Sequence, residues 1–544
     1  MKISFRKRFM SSLANVALIV LTLASCSKKA DLGDYVPDDA IGVVSVDMNE
    51  LWNKADLSNI EQLSFAKLGL QELRSEDPQT AAIVDGILKD PRSTGLDLKG
   101  DLLIWVKADE EVTFRGGFLM TMHKRKKFEE FLTKLAADNE FELTISDLKG
   151  FRVAKINNAG AGIVFNKTLA MLVPGGTNLE SMLEMKHKES IASDKQFRKY
   201  WKNRSEISLW MSFDHISEMA EDNGVDMEEI MAETGMGKDY WDAVKGSSIA
   251  ANLTFDKGVI RTTFEMMGIN GRTMNAYMQK FNSDLVKYMP ENTLLTFAMG
   301  YNLKQVVNIL ERQQDEEIDL DEKVTGDKTV RDVINAFGGS VLFSLFDIET
   351  YTDGRNEPLM AVALDINDAE TIRTLLAEAK MEEVDGIYAL SNPIGLGFNI
   401  YIALNKKAMY ITNSEMSAKT FIKGGYKDAL KSVAKKVKKG NYLYADLTID
   451  DYPLAIQEQL PDGAVSLLRN YLEYTEIQPT GKTSGEWNIY IRDKKQNSLL
   501  STLHFIDDHL VELGNLIGST VGSISPEYEE EFYVEEETEL DYDD

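Results

Sequence analysis

The chain has 544 residues, 43% hydrophobic and 27% charged, with a formal net charge of -28. That length exceeds what one hydrophobic core serves, so two to four domains are expected, and the composition is that of an ordinary folded body. Such acidity argues against general binding to nucleic acid or to anionic membrane surfaces, and one cysteine excludes a disulfide framework.

The chain opens with a basic segment, Lys2, Arg6, Lys7 and Arg8, followed by an apolar run from Leu13 to Leu23. The run is too short for the roughly 20 residues of a spanning helix, and small residues follow it, so residues 1–25 are expected to be a secretory signal peptide. Leu23-Ala24-Ser25-Cys26 resembles the lipobox of bacterial lipoproteins. That resemblance implies cleavage before Cys26, a diacylglyceryl thioether on its sulfur and an acylated new amino terminus. More than one acyl chain gives a stable anchor where a single chain does not. Ser27 is not the Asp of an inner-membrane retention signal, so the resemblance implies an outer-membrane anchor in a Gram-negative cell, with the periplasmic or outer face left open. Residues 26–34 are then the lipidated tether.

The mature body shows a long internal repeat. Tyr35-Val-Pro-Asp-Asp-Ala-Ile-Gly-Val-Val is matched by Tyr288-Met-Pro-Glu-Asn-Thr-Leu-Leu-Thr-Phe, and Gly100-Asp-Leu-Leu-Ile-Trp by Gly339-Ser-Val-Leu-Phe-Ser. Phe118-Leu-Met-Thr-Met pairs with Leu359-Met-Ala-Val-Ala, Lys149-Gly-Phe with Asp385-Gly-Ile, and Asn166-Lys-Thr with Asn405-Lys-Lys. Ser208-Leu-Trp is matched by Tyr442-Leu-Tyr, and a hairpin expected at Asp256-Lys-Gly by one at Asp493-Lys-Lys. The order holds throughout, so two related halves are expected, 35–285 and 286–524, joined near Asn282 to Pro290.

Runs such as Ile249–Phe255 and Val259–Met266 alternate polar and apolar residues at period two between turn residues, which predicts antiparallel hairpins. Phe128–Leu135 and Ile372–Ala379 have helical period. The fold class is therefore α+β, each half mainly an antiparallel sheet with hairpins and packed helices. Residues 525–544 hold no Lys or Arg and are expected to be an acidic, disordered tail, with docking on a basic apolar groove as the other reading.

Chemistry-bearing motifs are sparse. Gly160/Gly162 and Gly395/Gly397 lead into strands, unlike phosphate loops, which open a helix. Ser64/Lys67, Ser146/Lys149 and Ser432/Lys435 match Ser-x-x-Lys without its companion motifs. His504-Phe-Ile-Asp-Asp-His509, placed at the end of a predicted strand, matches no zinc spacing, and Asp315–Glu322 lacks the pattern of a calcium loop. No catalytic residue, metal site or cofactor is assigned. Met219, Met227, Met231 and Met236 form an adaptable apolar stretch that reads as core. One basic feature recurs before equivalent strands: Lys195, Arg198, Lys199 and Lys202, then Lys431, Lys435, Lys436 and Lys439. They are a candidate anion-binding set, against the alternative of a solvated helix face.

The lipobox, the duplicated body and its Tyr-x-Pro-Asp/Glu opening together resemble large Gram-negative lipoproteins that contain a domain of unknown function. The resemblance implies placement and fold and supplies no catalytic residues. The expected role is a lipid-anchored, non-enzymatic envelope protein that binds an envelope protein, lipid or glycan, with a polymer hydrolase using carboxylates as the alternative. A hydrolase requires converging carboxylates in a polar cleft; a binding protein requires an apolar or basic groove.

Overall fold

The computed structural model describes residues 32–108, 114–138, 142–156, 161–174, 183, 189–222, 244–268, 278–313, 319–352, 354–391, 398–431, 433–438 and 440–513. Cys26, Gly160, Gly395, Gly397, Ser432, Lys439, Met227, Met231, Met236 and the acidic tail lie outside the described residues.

The strands are β1 (Gly42–Asp47), β2 (Asp101–Ala108), β3 (Phe114–Thr121), β4 (Leu143–Leu148), β5 (Phe151–Ile156), β6 (Ala161–Phe165), β7 (Leu169–Pro174), β8 (Ile207–Ser212), β9 (Ser248–Asp256), β10 (Val259–Met267) and β11 (Leu295–Gly300). They continue as β12 (Lys323–Thr325), β13 (Lys328–Thr329), β14 (Phe337–Thr350), β15 (Asn356–Ile366), β16 (Glu383–Val384), β17 (Ile387–Leu390), β18 (Ile400–Leu404), β19 (Ala408–Thr412), β20 (Tyr442–Asp446), β21 (Leu472–Pro479) and β22 (Ser484–Ile491). β12 and β13 form a separate hairpin.

The other strands make one antiparallel sheet, mixed with helices, so the fold is α+β. Its pairings run β4-β5-β6-β7-β3-β2-β1-β8-β9-β10 and, across the β10–β22 pair, β22-β21-β20-β11-β14-β15-β19-β18-β17-β16. Read outward from β10–β22, the two directions have the same connectivity, β1 standing where β11 stands and β7 where β19 stands. The sheet does not stop at the expected join; β10 and β22 are hydrogen-bonded from Val259 opposite Tyr490 to Glu265 opposite Ser484.

Local chemistry sets the same turns in both directions. Lys149 and Gly150 (φ 49° and 86°) join β4 to β5, and Asp385 and Gly386 (φ 54° and 81°) join β16 to β17. Two successive positive φ values suit a tight hairpin to the right-handed twist of its strands. Between β6 and β7, Asn166 Oδ1 accepts from the Thr168 and Leu169 amides at 2.7 and 3.0 Å; between β18 and β19, Asn405 Oδ1 accepts from Lys407 and Ala408 at 2.8 and 2.9 Å. Helices start on side-chain caps: Asp194 before Lys195–Lys202, Asp368 before Ala369–Glu378 and Thr329, in a capping box, before Val330–Ala336.

Two expectations are corrected. Asp493-Lys-Lys is not a sheet hairpin: the β21–β22 turn spans 480–483, and Asp493 lies in the link to the helix Ser498–Asp508, capped by Asn497. His504, Asp507 and Asp508 sit on that helix rather than at a strand end, because apolar residues at Leu499, Leu503, Phe505 and Ile506 continue the helical turn and Phe505 packs on Tyr471.

Side chains alternate across the sheet. On one face Val43, Leu103, Trp105, Leu119 and Trp210 pack beneath Leu32, Phe197 and Tyr200. Farther along that face, Ala298, Leu342, Ala363, Tyr410 and Tyr442 pack beneath Leu285, Val286, Phe421 and Val437. The opposite face is covered toward its flanks and, at the Ile491 end of β22, by the helices Asp462–Asn470 and Ser498–Asp508, whose Leu467 and Phe505 pack there with Tyr471. At the flanks Phe128 and Leu132 of the helix Arg125–Asp138 pack with Phe165 and Ala170, and Ile372 and Leu376 pack with Leu404 and Met409.

Candidate binding face at the centre of the sheet

Between those helical flanks, the second face runs over β1, β8, β9, β10, β22, β21, β20 and β11. Register fixes which side chains share it. Ile260 stands opposite Phe255 and Ile489, Thr262 opposite Leu253 and Trp487, and Phe264 opposite Ala251 and Gly485. The row extends through Ile207, Leu209 and Met211 to Val44 on one side. On the other it extends through Ile477 and Thr475 to Leu443, Ala445, Phe297 and Leu295. None of these side chains joins a buried core cluster, and none is charged.

The centre of this row is its most open part: Phe264, Trp487 and Ile477 are 39%, 44% and 37% exposed. A side chain at Gly485 would place its Cβ 2.5 Å from the Phe264 ring, so the glycine is what lets that ring lie across the β10–β22 pair. Trp487 Nε1 donates to Thr475 Oγ1 at 2.7 Å. The one polar atom of the indole is thereby used within the sheet. Exposed contiguous apolar surface of this kind marks an interaction site.

The reverse face, apolar where Val43, Trp210, Ala250, Ala298 and Met267 join the core, also carries a set of paired polar groups. Ser208 Oγ donates to Asn252 Oδ1 at 2.6 Å, and Arg261 pairs with Glu486 at 3.4 Å. Glu476, with 1% of its side chain exposed, accepts from the Tyr442 and Tyr490 hydroxyls at 2.7 and 2.8 Å and from Lys436 Nζ. Burial pushes its pKa up, but the hydrogen bonds from Lys436, Tyr442 and Tyr490 and the Lys436 charge outweigh it, so the carboxyl titrates below its ordinary value. The Lys436 ammonium lies 5.5 and 5.6 Å from the Tyr474 and Tyr490 ring centres. Burial, reinforced by Glu476, pushes Tyr474 up to about 12 and raises Tyr442 and Tyr490 as well.

The basic residues singled out in the sequence fall on this polar side, and carboxylates meet three of them. Lys199 pairs with Glu265 at 2.5 Å, Lys431 with Glu291 at 2.7 Å, and Lys436 with Glu476. Lys195, Arg198, Lys202 and Lys435 are exposed. The second cluster is not a long basic helix: the helical segment is only Ala434–Val437.

A polar cleft of about 660 Å³ lies nearby, lined by Asp38, Asp39, Asp194, Lys195, Asp214 and His215 among others. Its groups serve local structure. Asp194 caps the Phe197 amide at 2.6 Å, Asp214 accepts from the Gly246 amide at 2.6 Å, Asp39 pairs with Lys107 at 2.9 Å, and His215 Nδ1 donates to the Ala40 carbonyl at 2.8 Å. Among the described residues no group of three or more His, Cys, Asp or Glu is placed to hold a metal ion.

The apolar face was not singled out from the sequence, although its signal is present as the period-two alternation of β9 and β10. That pattern identifies an apolar side of each strand. It carries no information about whether a helix covers that side.

Residues 33–499 match the model of a protein family described as a domain of unknown function, DUF4836. No curated protein matches the chain. Among solved structures, crystal form I of TP0453 aligns with 46% of this chain and 88% of its own at 10% identity and a TM-score of 0.24.

Proposed function

We propose that this chain, which belongs to the DUF4836 family of domains of unknown function, is a non-enzymatic binding protein of the cell envelope that engages an apolar ligand on the open face across β10 and β22. The carrying observation is that uncharged face, most open at Phe264, Trp487 and Ile477. The anchor in this reading is a lipid on Cys26, which holds the protein at the outer membrane. The body is a duplication, 35–285 and 286–524; the matching strand order and the paired turns at Asn166/Asn405 and Gly150/Gly386 support it. Binding is preferred over hydrolysis because, among the described residues, every carboxylate with a shifted pKa, Glu476 included, is held below its ordinary value, whereas an acid catalyst needs one raised.

Site-specific photocrosslinking in intact cells tests this. The full chain carries a photoreactive phenylalanine analogue at Phe264 or, as a control, at Thr263 on the polar face. The reading requires a specific adduct from position 264 that position 263 does not give. Equal or absent labelling at the two positions overturns it.

A further inference from the structure

We infer that the chain has a second binding site, on the helix-covered side of the β10–β22 pair, and that its ligand is an uncharged sugar ring carried by a glycan. The inference goes beyond the apolar face and stands on different residues.

The site is a cavity of about 240 Å³ where the helix Lys195–Lys202, the β9–β10 hairpin and the β21–β22 turn meet. That volume lies just below the range of about 300–1,000 Å³ that drug-sized ligands fill, so it suits a ligand of one ring.

The lining chemistry selects the ligand. Its two charges cancel, because Lys199 pairs with Glu265 at 2.5 Å. The remaining polar groups are neutral, and local bonds fix which way each one faces. Asn252 Oδ1 accepts from Ser208 Oγ at 2.6 Å, which leaves the Asn252 amide hydrogens to donate. Asn203 Nδ2 donates to the Lys199 carbonyl at 3.0 Å, which leaves the Asn203 oxygen to accept. Ser484 Oγ accepts from Thr480 Oγ1 at 3.1 Å and keeps its own proton. The Thr263 hydroxyl, on the residue opposite Asn252, has no partner among the described residues. Free donors and acceptors side by side fit a ligand whose groups do both, which is the property of a hydroxyl.

The rest of the lining is apolar. Ala250 and Met267 are buried there, and Tyr200 contributes its ring, because its hydroxyl is taken by Ser45 Oγ and the Ser208 carbonyl at 3.0 and 2.9 Å. A sugar ring presents both surfaces, hydroxyls at its rim and C–H groups on its faces. An acyl chain would leave the amides and hydroxyls unpaired. A peptide strand would need a ladder edge, and β9, β10 and β22 are each paired on both sides.

The test is saturation-transfer NMR on the full lipidated chain in a zwitterionic detergent without sugar groups. The probes are the methyl glycosides of glucose, galactose, mannose and N-acetylglucosamine and the corresponding reducing sugars, each titrated for its Kd. At least one glycoside is expected to bind. Thr263→Val removes a hydroxyl at nearly unchanged shape and weakens binding about tenfold, as for one lost hydrogen bond. Thr263→Trp fills the cavity and abolishes binding, and Trp487→Ala on the other side of the sheet leaves it unchanged; circular dichroism checks that each variant folds. An aromatic side chain at 263 likewise keeps the cavity empty in the crosslinking control above. Failure of every glycoside to bind, an affinity that both Thr263 variants leave unchanged, or its loss in Trp487→Ala overturns the site. Binding of reducing sugars without their glycosides overturns the glycan as the source. None of these results bears on the apolar face, which crosslinking at 264 decides.

Discussion

Lys436→Met removes the cation from a carboxylate that has no other charged partner among the described residues and only 1% of its side chain exposed. The magnitude follows from what is left behind. A charge-assisted hydrogen bond contributes about 1.5–3 kcal/mol, and removing one member of a fully buried ion pair costs about 3–5 kcal/mol. Lys436 itself is 34% exposed, so solvent already screens part of the attraction, and the Tyr442 and Tyr490 hydroxyls continue to donate to Glu476. The expected loss is therefore about 2 kcal/mol, a fall of about 0.7 M in the urea midpoint for a slope of ~3 kcal/mol per molar.

The pH dependence separates this mechanism from lost packing of the lysine stem. Glu476 has a depressed pKa in the folded protein, so its ionisation contributes stability above the unfolded value of about 4.3. That contribution disappears as pH falls through the lower folded value. Without Lys436, burial is opposed only by the tyrosines and the folded pKa rises. The deficit of the variant is then largest near pH 7 and narrows as pH falls through the carboxylate range, vanishing once pH lies below the depressed folded value and Glu476 is protonated in both proteins. Adding Glu476→Gln to Lys436→Met recovers most of the loss at pH 7, since the amide oxygen still accepts from the tyrosines and no charge stays buried. Urea titrations at pH 7 and pH 3.5 decide the matter: a deficit under ~0.5 kcal/mol at neutral pH, or one of equal size at both pH values, refutes the reasoning.

Asn166→Ala and Asn405→Ala each remove a side chain that closes a turn, so each lowers stability by about 1 kcal/mol, and the double variant shows the sum because the sites share no partner; chemical denaturation checks both. Gly150→Ala has open space around the new methyl but forces a left-handed φ of 86° on an alanine, which costs about 1–2 kcal/mol, measurable the same way. Cys26→Ser abolishes metabolic labelling with palmitate and releases the chain from the membrane fraction, measured by autoradiography and sedimentation.

How much of this was legible beforehand depends on the range of the interaction. Turn chemistry is local, so Lys149-Gly150, Asp385-Gly386, Asn166 and Asn405 could be placed in the sequence, and their backbone geometry follows from which residues tolerate positive φ or close an Asx turn. The alternation of β9 and β10 is also local and gave strands. Asp493-Lys-Lys misled because a polar triplet after a strand is equally compatible with a hairpin and with a strand-to-helix link; the choice is made by Asn497, whose side chain caps the next helix and donates to the Phe255 carbonyl 242 residues away. The basic clusters illustrate a longer-range blindness. Lys199, Lys431 and Lys436 look like free charge because Glu265, Glu291 and Glu476 meet them only through the sheet and its packed helices. The apolar face is the extreme case. In a strand buried on one side, the apolar residues ordinarily mark that side, yet here Asn252, Thr263 and Glu476 point into the helix-covered face while Leu253, Phe264 and Ile477 point away from it. Ser208, Tyr442, Tyr490 and Lys436 satisfy two of those three inward polar groups, so the chain has spent buried hydrogen bonds on the inner face and left its strand hydrophobicity outside. Packing alone does not demand that inversion, which is the reason the outer face is assigned to a ligand.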